Sequence, residues 1–328
     1  MTVHRPLVAL LTIALLAITL AACGGDDDSD ADNVASAPTA ASPAGEFPVS
    51  VDRSDDKELV VDAPVRRIVS LSPGATEIIY AIGAEDALAA VDNNANYPQG
   101  VATLSGRVDA YQPNIEAIAG FEPDLVIVAN NIDGIVEALD RLSIPVLFLD
   151  IDSDVTSIDD VFEHIDIMGR ITGRTDASEA LLDGLRGRVD AVEEKMGIDP
   201  PTTVIRAAPS FYHELDAELY SIADDTFIGS LYAILGARNI AGDGGGIAYP
   251  QLTQEAIIAA NPDVIVLADE AFGVTIDSVR ARPGWDAIAA VQNDRIYAIN
   301  PDIISRPGPR IVDALEQLAR DLYPEVFE

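Results

Sequence analysis

Residues 116–129 read EAIAGFEPDLVIVA, and a closely similar stretch, EAIIAANPDVIVLA, occupies residues 255–268. Six of the fourteen positions are identical, and most others exchange one aliphatic residue for another, which indicates the same local structure twice. Pro123 and Pro262 disfavour helix in the residue before them. The aliphatic runs that follow have the length and branching of strands buried on both faces. Each stretch therefore predicts a helix, a Pro-Asp turn and a buried strand, and the repetition predicts two lobes of similar build.

The segments around these stretches alternate between strand and helix. RIVSL at residues 67–71 predicts a strand, and Ser72 then supplies a helix N-cap with Pro73 at the first helical position. This order of elements is typical of parallel βαβ units. Further strands are predicted at 87–91, 124–129 and 146–150 in the N-terminal half and at 203–208, 263–268 and 295–300 in the C-terminal half, with helices at 227–235 and 309–322.

A long helix is predicted between the two halves. Its apolar residues recur every three or four positions and form one stripe, which consists of Leu181, Leu185, Val189, Val192 and Met196. About twenty residues at about 1.5 Å each give roughly 30 Å, which is the diameter of a small domain. We therefore expect this helix to run from lobe to lobe; a surface helix of either lobe is the alternative.

The composition describes an acidic globular protein. The chain has 328 residues, of which 48% are hydrophobic, which is enough for two cores of ordinary size. Its 55 acidic residues outnumber 20 basic ones and give a net charge of −35. Such a surface repels phosphate backbones, so nucleic acid is excluded as a partner.

The N-terminal segment predicts export and lipid anchoring. His4 and Arg5 precede an apolar run at residues 7–22 that is too short for a membrane span and typical of an export signal. The run ends in Leu-Ala-Ala before Cys23, the only cysteine, as in bacterial lipoprotein signals, in which the cysteine is lipidated and becomes the new N-terminus. We therefore expect an extracytoplasmic protein held at the cell membrane; a free thiol in a tail is the alternative.

The residues after Cys23 are rich in Asp, Ala, Ser, Pro and Gly and poor in large apolar residues, so they predict a disordered acidic tether. The predicted organisation is a signal peptide at 1–22, the tether at 23–56, an N-terminal lobe at 57–173, the linking helix at 174–197 and a C-terminal lobe at 198–328.

The order of segments along the chain resembles that of the substrate-binding proteins of ABC importers for iron-siderophores, haem and cobalamin. These segments are the export signal, the SPGATE turn, the two repeated stretches, the long central helix and RPGPRIVDALEQLA at residues 306–319. The cobalamin-binding branch is the most similar. The resemblance covers about residues 65–322 and implies two α/β lobes, each with a mainly parallel sheet, joined by one rigid helix, with the ligand in a cleft between them. It also implies an ABC permease with its ATPase subunits as partner, and no cofactor of the protein's own.

The resemblance assigns a role to the repeated glutamates. In this family one glutamate on each lobe docks into arginine pockets of the two permease subunits, and the matching residues are Glu116 and Glu255. Carboxylate and guanidinium pair in a bidentate manner, which fixes orientation. The alternative is that each of these glutamates is simply a solvent-exposed helix residue without a partner protein.

The family's ligand contacts also map onto this sequence. The ring-stacking aromatic expected after the third strand falls on Asn94, so that contact is lost or is taken over by Tyr97. In the C-terminal lobe a tryptophan is replaced by Tyr249, and an aromatic patch falls on Phe211 and Tyr212. The loop that contacts cobalamin aligns with Asp302, Ile303, Ile304, Ser305 and Arg306. For each side chain a place in the core is the alternative.

Other chemistries find little support in the sequence. His164 and His213 are the histidines beyond the signal, and two scattered imidazoles do not predict a zinc site. With Cys23 assigned to lipid, no cysteine–histidine pair exists for nucleophilic catalysis. We therefore expect a receptor that makes and breaks no bond, and the resemblance to the cobalamin-binding branch implies a corrinoid as its ligand. A ferric siderophore or haem is the alternative, for which Arg306, Arg107 or Arg206 would supply positive charge. A secreted enzyme is the remote alternative.

Overall fold

The computed structural model describes residues 47–151, 153–197 and 208–327. The signal, Cys23, most of the tether, Arg206 and nearly all of the strand predicted at 203–208 lie outside these ranges. The structure begins with an antiparallel hairpin of β1 (Val49–Asp52) and β2 (Glu58–Val61). This hairpin overlaps the end of the predicted tether, which corrects that boundary: alternate residues of both strands are buried, and Arg53 pairs with Asp140 at 2.9 Å.

The N-terminal lobe contains a five-stranded parallel sheet in the order β5-β4-β3-β6-β7. Its strands are β3 (Ile68–Leu71), β4 (Leu88–Asp92), β5 (Arg107–Val108), β6 (Leu125–Val128) and β7 (Val146–Phe148). Its helices are α1 (Pro73–Ala81), α2 (Ile115–Gly120), α3 (Ile135–Arg141) and α4 (Ile158–Thr172).

The C-terminal lobe repeats this plan with a four-stranded parallel sheet in the order β11-β10-β8-β9. Its strands are β8 (Ser210–Glu214), β9 (Arg238–Asn239), β10 (Val264–Leu267) and β11 (Ile296–Ala298). Its helices are α6 (Phe227–Ile234), α7 (Gln254–Ala260), α8 (Ile276–Arg280), α9 (Ala289–Gln292), α10 (Pro301–Ile304), α11 (Ile311–Leu322) and α12 (Pro324–Phe327). The two-lobed α/β fold predicted from the sequence is therefore confirmed.

The repeated stretches form the same structure in both lobes. Each begins with a short helix, α2 or α7, and ends in a strand, β6 or β10, in which every residue is buried. In the N-terminal copy the Asp124 carboxylate accepts the backbone N–H groups of Arg66 and Arg67 at 3.0 and 2.6 Å. In the C-terminal copy the Asp263 carboxylate accepts the N–H of Ser210 at 2.8 Å. Each Pro-Asp turn thus ties its strand to the beginning of the neighbouring strand.

The linking helix α5 (Thr175–Met196) has 22 residues, so its length is about 33 Å. It packs on α4 of the N-terminal lobe and on α11 of the C-terminal lobe. Arg188 strengthens the second contact by donating to Glu316 at 2.8 Å and to Asp313 at 2.6 Å. The predicted bridge between the lobes is therefore present.

The buried apolar residues form one core shared by both lobes and one smaller core on the far face of each sheet. Alternate residues of a strand belong to different cores: Leu125 and Ile127 of β6 lie in the shared core, whereas Val126 and Val128 face α2 and α3. The shared core continues through α4, α5 and α11, and both lobes belong to one compact unit. The lobes are therefore held together by buried apolar surface as well as by α5.

None of the helices within residues 47–151, 153–197 and 208–327 is both long enough and apolar enough to cross a membrane.

Candidate functional site

A cavity of about 310 Å³, called the cleft cavity below, lies between the two lobes. On the N-terminal side it is bounded by residues at the carboxyl ends of the parallel strands, which is where ligands bind in open α/β sheets. Its walls consist of Leu71, Ser72, Pro73, Gly74, Asp92, Asn94, Ala110, Tyr111, Ala129, Asn130, Ile132 and Ile151 from the N-terminal lobe, and Phe272, Pro301, Asp302, Ser305, Arg306 and Pro307 from the C-terminal lobe.

Two exposed aromatic side chains enter the cleft cavity from opposite lobes. Tyr111 is 68% exposed and Phe272 is 79% exposed, which is unusual for large apolar side chains. Such surface at a cavity is typical of ligand-binding sites. Neither residue was among the contacts expected from the sequence. Each follows a strand of a parallel sheet, β5 or β10, and that position was the signal available for finding them.

The N-terminus of α1 forms part of the cavity wall. As predicted, Ser72 caps this helix, and its hydroxyl accepts the backbone N–H of Ala75 at 3.2 Å. Gly74 lies directly against the C-terminal lobe: a Cβ atom at this position would be 2.4 Å from the carbonyl oxygen of Pro307. Glycine is therefore required here for the two lobes to meet.

Arg306 lies in the cavity wall, but its charge is already engaged. Its guanidinium donates to the Asp302 carboxylate at 2.6 Å, to the side chain of Asn96 at 2.8 Å and to the carbonyl oxygen of Asn94 at 3.1 Å. Asn96 in turn donates to Asp302 at 2.7 Å. Asn94 and Asn96 belong to the N-terminal lobe, so these contacts form a polar bridge across the cleft. Much of the donor capacity of Arg306 is thus used by the protein itself.

A second ion pair reinforces this bridge. Glu77 of α1 is only 3% exposed, and Arg310 at the start of α11 donates to both of its oxygens, at 2.8 and 2.6 Å. Burial lowers the pKa of Arg310, but the hydrogen bonds to Glu77, together with the electrostatic effects of Glu77, Tyr97 and Asp302, outweigh burial and raise the pKa overall. The same guanidinium lies 4.1 Å from the ring centroid of Tyr97. Tyr97 therefore packs on the bridge and does not line the cleft cavity.

Of the other predicted ligand contacts, Asn94, Asp302 and Ser305 line the cleft cavity. Tyr249 is exposed but lies outside the lining of this cavity. Ile304 is fully buried in the shared core, and Ile303 packs against that core, which corrects their expected place in the cleft. Arg107, a candidate for anion binding, donates instead to the carbonyl oxygens of Asp92, Ala95 and Val101.

Phe211 and Tyr212 also require correction, because both are buried. They lie within β8 itself, whereas the strand was predicted at residues 203–208 and the two aromatics were placed after it. Phe211 stacks on Tyr232 with ring centroids 3.6 Å apart, and Tyr212 meets Trp285 edge to face at 6.1 Å. Neither side chain presents a face to the cleft in this structure.

His213 is likewise buried and does not line the cleft cavity. It lies in β8, is fully buried, and its Nδ1 is 2.8 Å from the hydroxyl of Tyr232. Burial lowers the pKa of His213 to about 3, so the ring is neutral at physiological pH. Within the described part of the chain no group of three or more histidine, cysteine, aspartate or glutamate residues is arranged to hold a metal ion.

A buried polar cluster supports the turn that carries Phe272. Glu214 at the end of β8 is fully buried and pairs with Arg282, whose guanidinium lies 4.5 Å from the Trp285 ring centroid. Asp269 precedes the turn and is also buried. Its backbone carbonyl oxygen accepts the N–H of Phe272 at 2.8 Å. Both of its side-chain oxygens lack a hydrogen-bond partner among the described residues. Burial and the neighbouring Glu214 carboxylate raise the pKa of Asp269 to about 7.

This raised pKa predicts a pH dependence of stability. The pKa of an unfolded aspartate is about 3.9, so the folded protein binds more protons and loses stability as the pH rises from about 4 through 7. Asp269→Asn removes the titrating group. At pH 8 we expect the variant to be more stable than the parent by about 2–4 kcal/mol, because the parent must ionise the buried Asp269 carboxylate whereas the amide stays neutral. At pH 4 both side chains are neutral in the folded protein, and the two stabilities should be nearly equal. Denaturant titrations at both pH values test this difference.

Asp321, whose pKa burial raises to about 6, titrates in an overlapping range in both proteins. The comparison of variant with parent therefore isolates Asp269. An equal stability difference at pH 4 and pH 8 would contradict the assignment.

Glu116 and Glu255 occupy equivalent positions in the two repeats. Each is an exposed residue in the first turn of its helix, immediately after the first helical residue. Asn114 caps α2 and Thr253 caps α7 through their side-chain oxygens, at 3.0 and 3.2 Å from the accepted N–H groups. The two lobes thus present matched carboxylates on matched helices.

Comparison with known proteins identifies the family. The model of the periplasmic binding protein family matches residues 68–303. The chain belongs to this family. Among curated relatives, the uncharacterized ABC transporter substrate-binding lipoprotein YvrC of Bacillus subtilis is 30% identical over 96% of both chains. A cobalamin-binding protein of Halobacterium salinarum is 32% identical over 96% of this chain and 84% of its own length.

Solved structures agree with this assignment of a periplasmic binding protein. The periplasmic vitamin B12-binding protein BtuF of Vibrio cholerae superposes with a TM-score of 0.67 at 27% identity, covering 80% of this chain and 98% of its own. A possible iron-binding, periplasmic solute-binding protein of Staphylococcus epidermidis gives 0.66 at 27% identity, covering 79% and 99%. These relatives and neighbours are named as binding proteins, which agrees with a non-catalytic role for the family.

Proposed function

We propose that this periplasmic binding protein is an extracytoplasmic receptor that captures a corrinoid in the cleft cavity and delivers it to an ABC permease with its ATPase subunits. The observation that carries the proposal is the cavity between the lobes, with Tyr111 and Phe272 exposed on opposite walls. A corrinoid is broad and largely apolar on its faces, with amides at its rim. Flat aromatic side chains suit its faces, and Asn94 and Ser305 offer hydrogen bonds to its rim. The named function of the Halobacterium salinarum and Vibrio cholerae relatives supports the same ligand.

The charge of the cavity favours an uncharged ligand over an anionic one. The charged residues among the described cavity lining are Asp92, Asp302 and Arg306. Arg306 is paired with Asp302, and the Asp92 carboxylate accepts the N–H groups of Asn94 and Ala110. A ligand with several negative charges would therefore meet carboxylates without an unpaired cation among these residues to offset them.

Replacing either exposed aromatic tests the ligand. We expect Tyr111→Ala and Phe272→Ala each to weaken cyanocobalamin binding by about 1–3 kcal/mol, which corresponds to roughly five- to 150-fold, through lost contact with the corrin face. Tyr220→Ala, which removes a partly exposed aromatic outside the cleft cavity, serves as the control and should have no effect. Calorimetric titration measures all three variants.

The alternative ligand is a ferric siderophore or haem, and the similarity to the possible iron-binding protein of Staphylococcus epidermidis supports it. An anionic chelate would show affinity that falls steeply with added salt, because screening weakens the contribution of Arg306. Tyr111→Ala would then matter little for a ferric siderophore, which has no flat macrocycle to pack on the ring. Absence of cyanocobalamin binding at high micromolar concentration, together with tight and salt-dependent binding of a ferric chelate, would overturn the corrinoid proposal.

We further propose that Cys23 is lipidated and anchors the protein to the cell membrane. The apolar run before it and the lipoprotein name of the Bacillus subtilis relative support this. Cys23→Ser is expected to release the protein into the soluble fraction or to block its processing, because serine cannot carry the acyl chains that would hold the protein at the membrane. Membrane fractionation and the intact mass of the mature protein test it. A variant that stays on the membrane with the parent's mass would contradict the proposal.

A further inference from the structure

The turn that carries Phe272 into the cleft is held to the C-terminal lobe at its two ends. Residues 270–273 are all exposed, whereas Asp269 before them and Val274 after them are buried. The backbone N–H of Phe272 donates to the carbonyl oxygen of Asp269 at 2.8 Å, so the turn is joined directly to its buried end. Because the turn itself is so little packed, the position of Phe272 depends on how these ends are held.

The Asp269 side chain lies beside a second buried carboxylate, that of Glu214. Leu267 of β10 pairs with Glu214 of β8, and the carbonyl oxygen of Glu214 accepts the N–H of Ala268 at 2.9 Å, which places Asp269 at the same edge of the sheet. Arg282 donates to both oxygens of Glu214, at 2.6 and 2.5 Å. Both oxygens of Asp269 are buried and lack a hydrogen-bond partner within the described ranges. The arginine is thus engaged by one of the two carboxylates.

An ionised Asp269 is costly in this position. A buried charge without a hydrogen-bond partner is destabilising, and Glu214 adds a repulsion that Arg282 offsets only in part. Tyr212 also faces Asp269, but burial raises the pKa of its hydroxyl, so this group stays neutral at physiological pH. Outward movement of the exposed turn relieves the cost, because the carboxylate then reaches water. Protonation of Asp269 removes the cost and leaves the turn in place.

We propose that Asp269 is a positioning residue for Phe272: when protonated it holds the turn against the cleft cavity, and when ionised it lets the turn move away. Ligand affinity then falls as the pH rises. This inference rests on the proposed function, because it takes Phe272 to contact the ligand. Asp269 itself lies outside the lining of the cleft cavity, so it acts on the ligand only through the turn. A pH profile of binding distinguishes this role from a purely structural one.

Calorimetric titration of cyanocobalamin at pH 6 and pH 8.5 tests the proposal. Burial and the Glu214 carboxylate raise the pKa of Asp269 to about 7, so it is mostly protonated at the lower pH and mostly ionised at the higher one. The closed turn binds the proton more tightly than a solvated one, so we expect the parent to lose affinity several-fold, and at most about thirtyfold, at pH 8.5. Asp269→Asn should retain its pH 6 affinity at pH 8.5. Phe272→Ala should bind more weakly at both pH values, without a further loss at pH 8.5.

Glu270→Gln is the matched control. It replaces a carboxylate by an amide at the next residue, but Glu270 is exposed, so this variant should keep the pH dependence of the parent. Amide hydrogen exchange of residues 270–273 without ligand gives an independent measurement. After correction for intrinsic rates, we expect the turn to exchange several-fold faster in the parent than in Asp269→Asn at pH 8.5, and equally fast at pH 6.

Equal affinity of the parent at both pH values, or an equal loss in Asp269→Asn, would overturn the proposal. A pH dependence that disappears in Glu270→Gln or persists in Phe272→Ala would do the same. If the parent binds no cyanocobalamin at either pH, the proposed function fails. Hydrogen exchange then still decides whether Asp269 controls the turn, and equal exchange in the parent and Asp269→Asn at pH 8.5 would show that it does not.

Discussion

Replacing Arg310 by alanine is expected to lower the free energy of unfolding by up to about 3–5 kcal/mol, because the buried Glu77 carboxylate then keeps only its longer contact with Arg306, at 3.5 Å. Glu77 is 3% exposed and receives two hydrogen bonds from Arg310, so solvent cannot replace the lost guanidinium. The cation also packs on the Tyr97 ring, and that contact is lost as well. Urea denaturation at neutral pH measures the change.

Two further variants separate the effect of breaking the buried Glu77–Arg310 pair from the effect of losing any arginine. Arg280 pairs with Asp277 and Asp294 at the surface, and Arg280→Ala should change stability by less than about 0.5 kcal/mol. The double variant Glu77→Leu, Arg310→Met removes both charges and should recover most of the stability lost in Arg310→Ala. A loss below about 1 kcal/mol in Arg310→Ala would show that the pair does not hold the lobes together.

The second large effect is expected at the two repeated helices. We propose that Glu116 and Glu255 dock the receptor on arginine residues of the permease, one on each subunit. The double variant Glu116→Arg, Glu255→Arg should then abolish uptake in reconstituted vesicles, because like charges meet at both contacts. Ligand affinity should stay within about threefold of the parent, since neither residue lines the cleft cavity.

A control for this experiment must make the same change in net charge elsewhere. Glu85 and Glu194 are both exposed and lie outside the repeated helices, so Glu85→Arg, Glu194→Arg should support normal uptake. Loss of uptake in the control as well would indicate a general requirement for negative charge. Retained uptake in the Glu116, Glu255 variant would contradict specific docking.

The sequence predicted the framework of the fold because that framework follows from local patterns. The repeated stretch identified two equivalent turns, and the structure shows Asp124 and Asp263 in the same role. The apolar stripe of α5 predicted the linking helix, because a period near 3.6 residues is visible in any amphipathic helix. Ser72 was recognised as a cap from its position before Pro73.

The site was predicted less well, because its members depend on contacts between distant parts of the chain. Alignment with a family placed Phe211 and Tyr212 in the cleft, but residue type alone does not distinguish a core aromatic from a cleft aromatic. Arg306 lines the cleft cavity, but its pairing with Asn96 and Asp302 requires the lobes to be folded together. Tyr111 and Phe272 follow strands β5 and β10, but that position does not distinguish them from other loop residues, and their exposure singles them out.

The shared core has a consequence for shortened forms of the chain. Residues from α11, such as Leu315 and Leu318, are buried in the same core as Ile78 and Ile79 of α1, so neither lobe has a complete interior of its own. A chain cut short before Ile311 would leave that interior open to water. Such a product is expected to expose cleavable backbone, so proteases would remove it while sparing the intact protein. Degradation would thereby clear shortened chains and leave only molecules in which both lobes are complete.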